Sequence, residues 1–202
     1  MITSMCNSYE HTIVITNRHL VQGDFLKQLE KVTKLHPHAL ILREKDLTDD
    51  AYESLAKKVF DLCEREDITF FLHTKIEIAR KIGCQNIHLS IPVLKGLSET
   101  EKKALTEDFC EISISCHSME DVEIAMAGGA TQIILGTIFE TECKKGVLGK
   151  GVEFVREICQ KCPPPVYAIG GMNLQRLHLV IDAGAAGCCM MSGFMQTTKT
   201  LQ

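Results

Sequence analysis

Eight short apolar runs, spread over the whole chain, limit most tightly what it can fold into. They are TIVIT (12–16), HALILR (38–43), ITFFLH (68–73), NIHLS (86–90), EISISC (111–116), QIILG (132–136), VYAIG (166–170) and GCCMMS (187–192). Most are apolar nearly throughout, so the strands they predict are buried on both faces. Parallel strands covered by helices meet that requirement.

Helix-patterned stretches lie between the runs. In 47–66, Leu47 and Thr48 open a helix, Asp49 and Asp50 sit in its first turn, and Ala51, Leu55, Val59 and Leu62 fall near one face. KIEIARKIG ends at Gly83, a helix stop. Ser118 and Asn173 stand where N-caps belong, and Gly184 ends the stretch that Asn173 begins. Eight strand–helix units in 202 residues predict an α/β fold, a (β/α)8 TIM barrel, as one domain over 1–202. An open doubly wound sheet is the alternative, but no G-x-G-x-x-G follows the first strand. Only nine residues, FMQTTKTLQ, follow Gly193, so the final helix is expected to be shortened. A stub, the N-terminal segment or a partner subunit would then cover that side, and a homodimer is one such solution.

The net charge of −4 argues against general affinity for nucleic acid or anionic membrane, and any anionic ligand needs a local positive site. No apolar run reaches the ~20 residues that span a bilayer. The start of the chain lacks a basic segment followed by an apolar one, so the protein is expected in the cytoplasm. Ten cysteines lie mostly inside apolar runs and read as buried, reduced thiols. Cys159-x-x-Cys162 lacks the second pair, or the histidines, that a zinc site needs.

Barrels of this kind carry their active sites at the C-terminal strand ends. The residues expected there include Thr16-Asn17-Arg18, Arg43-Glu44-Lys45, His73-Thr74-Lys75, Ser90, Ser115 to Ser118, Gly136-Thr137, Gly170-Gly171 and Ser192-Gly193. Arg43, Lys45, Lys144 and Lys145 all fall at this end. After the seventh run, Gly170 and Gly171 let the backbone approach a ligand, and Ser192-Gly193 follow the eighth. Two such pairs at these strand ends suggest a phosphate cradle, where a plainer reading makes them tight turns. His117 stands between a strand and a helix cap, where a proton-moving histidine belongs. His73 competes for that role; His88 reads as packing, and His11, His19, His36, His38 and His178 as surface or edge positions.

Three segments carry a resemblance: LREKDLTDDAYESLAKKV, ISCHSMEDVEIAMAGGATQIILGTIFETECKKG and VYAIGGMNLQRLHLVIDAGAAGCCMMSG. In order along nearly the whole chain, they resemble the thiamine phosphate synthase/TenI superfamily of (β/α)8 barrels. The resemblance implies one of two reactions. Synthases join a pyrimidine pyrophosphate to a thiazole phosphate with magnesium. At the positions where they place a pyrimidine-contacting Gln and two magnesium-binding Asp, this chain has Ile41, Thr74 and Val93. The other branch is the thiazole tautomerase TenI, which IFETECKKG, AIGGMN and SCHS resemble. It aromatises a carboxythiazole phosphate by proton transfer, without metal or other cofactor. On that branch His117 is the acid/base. The implied substrate- and phosphate-binding residues are Arg43, Lys45, Ser115, Lys145, Gly170, Gly171, Met191, Ser192 and Gly193, with no metal ligand.

Overall fold

A computed structural model describes residues 8–141, 146 and 148–196. The elements alternate as follows: β1 (Thr12–Ile15), α1 (Phe25–Thr33), β2 (Ala39–Leu42), α2 (Asp49–Arg65), β3 (Thr69–His73), α3 (Ile76–Ile82), β4 (Asn86–Ser90), α4 (Ile91–Gly96), α5 (Glu99–Asp108), β5 (Glu111–Cys116), α6 (Met119–Ala127), β6 (Gln132–Gly136), α7 (Gly151–Lys161), β7 (Val166–Ile169), α8 (Leu174–Ile181), β8 (Gly187–Met190) and α9 (Ser192–Met195). All eight runs are strands, and each pairs in parallel with the next. β8 pairs with β1 through Thr12↔Cys188, Ile13↔Cys189 and Val14↔Met190, which closes the barrel.

The two faces of each strand enter different cores, because successive side chains point to opposite sides. Val14, Leu40, Leu42, Phe70, Leu72, Ile112, Ile114 and Leu135 pack outward with the buried helix faces. Ile13, Ile15, Ala39, Ile41, Phe71, Ile134, Tyr167 and Cys189 fill the barrel interior. At roughly 25 cal/mol per Å² of apolar surface, these two clusters are the main favourable term in folding.

The helices begin where their caps allow. The Thr48, Ser118 and Asn173 side chains accept the N–H of Ala51, Asp121 and Arg176. Thr48 thus caps α2 and Leu47 lies before it, which corrects the expected start. The buried stripe of α2 is Tyr52, Ala56, Val59, Leu62 and Cys63, while Ala51 is exposed. Gly83 ends α3 in the left-handed conformation at φ 75°.

The final helix is a four-residue stub, α9. It works with the segment before β1. Phe194 is buried with its ring 5.9 Å from that of Tyr9, and the Gln28 amide donates to the Phe194 carbonyl at 2.6 Å. Tyr9 and the stub thus pack together on the outer core.

Candidate active site

Two strand ends, those of β1 and β2, build one wall of the mouth. Thr16, just past β1, donates to Glu44 Oε1 at 2.7 Å and accepts the N–H of Arg43 at 2.9 Å. Glu44 is 2% exposed, and it also accepts the backbone N–H of Arg18 at 3.0 Å and its guanidinium at 3.1 Å. Asp46 pairs with Arg18 and His19 outside it. The Arg18 guanidinium holds the Asp46 carboxyl far below the usual carboxylate range. This network pins the β1 and β2 loops together and leaves Arg43 projecting from a fixed backbone. The Arg43 side chain is half-buried and makes no hydrogen bond or ion pair among the described residues.

A cavity of about 300 Å³ opens beside this wall, over the ends of β2, β3 and β4. Lys45, Tyr52, His73, Lys75, Ser90 and Val93 are among its lining residues. Tyr52 reaches across from α2, donating to the Leu42 carbonyl at 2.6 Å and accepting the His73 N–H at 3.3 Å. Burial, with the charges of Arg43 and Lys45 nearby, lowers His73 to about pKa 4, so it is neutral at pH 7.

His88 lies below, 3% exposed, its ring centroid 5.6 Å from that of His73. Burial, with help from His73 and Arg43, lowers it to about 3. Its two nitrogens lie 2.9 Å from Ser113 Oγ and 2.8 Å from Ser115 Oγ. It is therefore a bonded interior histidine, more than the packing residue its sequence position suggests.

His117 follows β5 on the face shared by Ser113 and Ser115, and it is exposed. Its Nδ1 is 2.6 Å from the Gly136 carbonyl oxygen, its N–H donates to Asp121 Oδ2 at 2.7 Å, and its carbonyl accepts from Lys150. A carbonyl oxygen only accepts, so the proton of the neutral ring sits on Nδ1 and the lone pair on Nε2.

Gly170 and Gly171 take positive φ, 100° and 61°. A Cβ on Gly170 would lie 2.4 Å from Thr137 Cγ2, and one on Gly171 would lie 2.5 Å from the Glu140 carbonyl oxygen. Turn geometry and packing against the β6 loop require glycine at both positions. Arg176, which the sequence did not single out, donates to the Gly171 carbonyl at 2.5 Å and stacks on Phe139 at 4.7 Å. Met191 is partly buried beside the interior core, and Ser192 and Gly193 are exposed in α9.

The structure thus brings Arg43, Lys45, Ser115, His117, Gly170, Gly171, Met191, Ser192 and Gly193 to the same end of the barrel. Lys144, Lys145 and Cys143 lie outside the described residues. Cys116, expected near the mouth, instead points outward into the helix layer, where burial pushes its thiol up to about 12. His38, read as an edge position, stacks on Tyr167 with centroids 5.3 Å apart at the opposite end. The eight described cysteines are all free thiols.

Magnesium is bound by oxygen donors, usually one or two carboxylates with substrate phosphate. Glu44 is the one carboxylate among the residues lining the cavity, and Thr16 and Arg18 occupy it. No group of three or more His, Cys, Asp or Glu among the described residues is placed to hold a metal ion. The donor set of the described residues does not fit magnesium.

The family model described as thiamine monophosphate synthase (TMP-TENI) matches residues 12–194. The chain belongs to this family. It is 29% identical over 180 residues to the thiamine-phosphate synthase of Coprothermobacter proteolyticus, covering 89% of this chain and 84% of that one. It is 29% identical over 195 residues to the thiamine-phosphate synthase of Clostridium acetobutylicum, covering 95% and 89%. The thiamine phosphate pyrophosphorylase structure from Pyrococcus furiosus superposes with a TM-score of 0.81 at 22% identity, over 96% of this chain and 91% of that one. That likeness establishes the barrel fold. Nothing in these matches singles out the tautomerase branch, and the relatives carry synthase names.

Proposed function

We propose that the protein is an enzyme of thiamine biosynthesis that aromatises a carboxythiazole phosphate by proton transfer. The observation that carries this reading is the fixed tautomer of His117. Its Nδ1–H is held by the Gly136 carbonyl, and its Nε2 lone pair has no partner among the described residues. A base held this way accepts the proton leaving ring carbon two of the thiazole, and a proton is delivered to the exocyclic carbon. Substrate and product are isomers, the gain of aromaticity drives the step, and no metal is required. Gly170, Gly171, Ser192 and Gly193, with Met191 beside them, receive the phosphate. Arg43, Lys45 and Lys145 balance the charge of phosphate or carboxylate, and Ser115 contacts the substrate.

The names of the relatives favour a second reading, a thiamine-phosphate synthase joining pyrimidine pyrophosphate to thiazole phosphate. Against it stands the donor set of the described cavity lining, where the one carboxylate, Glu44, is taken by Thr16 and Arg18 and the other positions are held by residues such as Thr74, Ser90 and Val93. Two incubations separate the readings. Carboxythiazole phosphate in excess chelator should aromatise faster with the protein than without it. Thiamine phosphate formed from the two precursors with magnesium, and no aromatisation in the first tube, would establish the synthase instead. Binding without turnover in either tube would leave a phosphate-binding barrel.

A further inference from the structure

Behind Ser115 the barrel interior contains a polar chain, Gln132, Ser113 and His88, to which the reaction above gives no role. At its deep end is Gln132 on β6, 2% exposed, whose amide Nε2 lies 3.1 Å from Ser113 Oγ on β5. Ser113 is fully buried and lies 2.9 Å from His88 Nδ1 on β4. His88 Nε2 then lies 2.8 Å from Ser115 Oγ, one inward step along β5 toward the mouth.

Each link has a direction. An amide nitrogen only donates, so Ser113 accepts from Gln132. The Ser113 hydroxyl proton then has one acceptor within reach, His88 Nδ1. A neutral imidazole that accepts at Nδ1 carries its proton on Nε2 and donates it to Ser115 Oγ. Ser115 therefore spends a lone pair on His88 and keeps its own proton, for which the described residues supply no acceptor. Ser115 is only partly buried, so this proton is open to an acceptor on a ligand at the mouth.

We infer that Gln132, Ser113 and His88 are positioning residues that hold the Ser115 hydroxyl as a hydrogen-bond donor toward the mouth, selecting a substrate that presents an acceptor oxygen there. The same pair of heavy atoms, Ser115 Oγ and His88 Nε2, would make a nucleophile and its base with the chain reversed. The direction set by Gln132 rules that chemistry out, because Nε2 has no lone pair to take the serine proton. The inference takes from the proposed function only that Ser115 faces the substrate.

Nitrogen-15 NMR of histidine-labelled protein at neutral pH tests it without any turnover. His88 is expected to carry its proton on Nε2 in the wild type. Gln132→Glu replaces the donor by an acceptor, so the chain reverses and the proton moves to Nδ1. Gln132→Met, of similar size, removes the direction and leaves the proton shared between the two nitrogens. With carboxythiazole phosphate, Ser115→Ala and Gln132→Glu should each weaken binding about tenfold, and the double variant no further. A wild-type His88 protonated on Nδ1 would overturn the inference. So would an unchanged Nε2–H in both Gln132 variants, or losses of binding that add.

Discussion

Arg43 makes the sharpest residue-scale prediction. A half-buried guanidinium with no hydrogen bond or ion pair among the described residues is open to a ligand anion. Arg43→Met should weaken binding of the phosphorylated substrate by tenfold or more, a charge-assisted hydrogen bond being worth about 1.5–3 kcal/mol. Thermal stability should hold or rise, since no hydrogen bond or ion pair of the guanidinium among the described residues is lost. Calorimetric titration beside a melting curve checks both, and unchanged affinity would remove Arg43 from the site. Arg43 and His117 were legible in the sequence because each directly follows an apolar run. Glu44 and Tyr52 were not. Glu44 reads like any loop carboxylate until Thr16 and Arg18 from another strand end close on it, and Tyr52 reads as a helix residue until α2 packs over two strands.

At the scale of elements, the chain's punctuation proved readable, because caps and stops act within a few residues of themselves. Thr48, Ser118, Asn173 and Gly83 do what local chemistry asks of them. The capping box of α5, Ser98 with Glu101, was equally local and went unread. The glycines after β7 show the limit of such reading. Their spacing suits a phosphate cradle, yet their φ angles and crowding answer to a loop far away in sequence. Gly170→Ala should therefore cost about 1–3 kcal/mol in folding, from an unfavourable φ and a methyl group pressed on Thr137. Denaturant titration reads this directly, and a neutral result would mean the turn can shift aside. Tyr52→Phe should cost about 1–2 kcal/mol by orphaning the Leu42 carbonyl and the His73 N–H.

For the whole molecule, a barrel that buries neutral histidines acquires a pH dependence. The unfolded chain protonates His88 near 6.5, while the folded one resists until about 3. Between those values the unfolded state binds more protons, so stability is full above about 6.5 and falls as the pH drops, by up to about 1.4 kcal/mol per unit. His73, lowered to about 4, acts in the same direction. His88→Asn should flatten the loss of stability between about pH 6.5 and 4 relative to wild type, and a parallel decline in both proteins would show that other groups dominate. The closed barrel itself was written in the eight runs. The interior polar chain was not, since Gln132, Ser113 and His88 meet only once three strands are in register.

The proposed function makes His117 the base that moves the proton. It is tested most directly by following the aromatisation of carboxythiazole phosphate by ultraviolet absorbance, in excess chelator, with wild type and His117→Ala. The wild type should accelerate the reaction, the variant should lose about 10²–10⁴-fold of that rate, and substrate binding should be largely retained. Equal rates for the two proteins would contradict it.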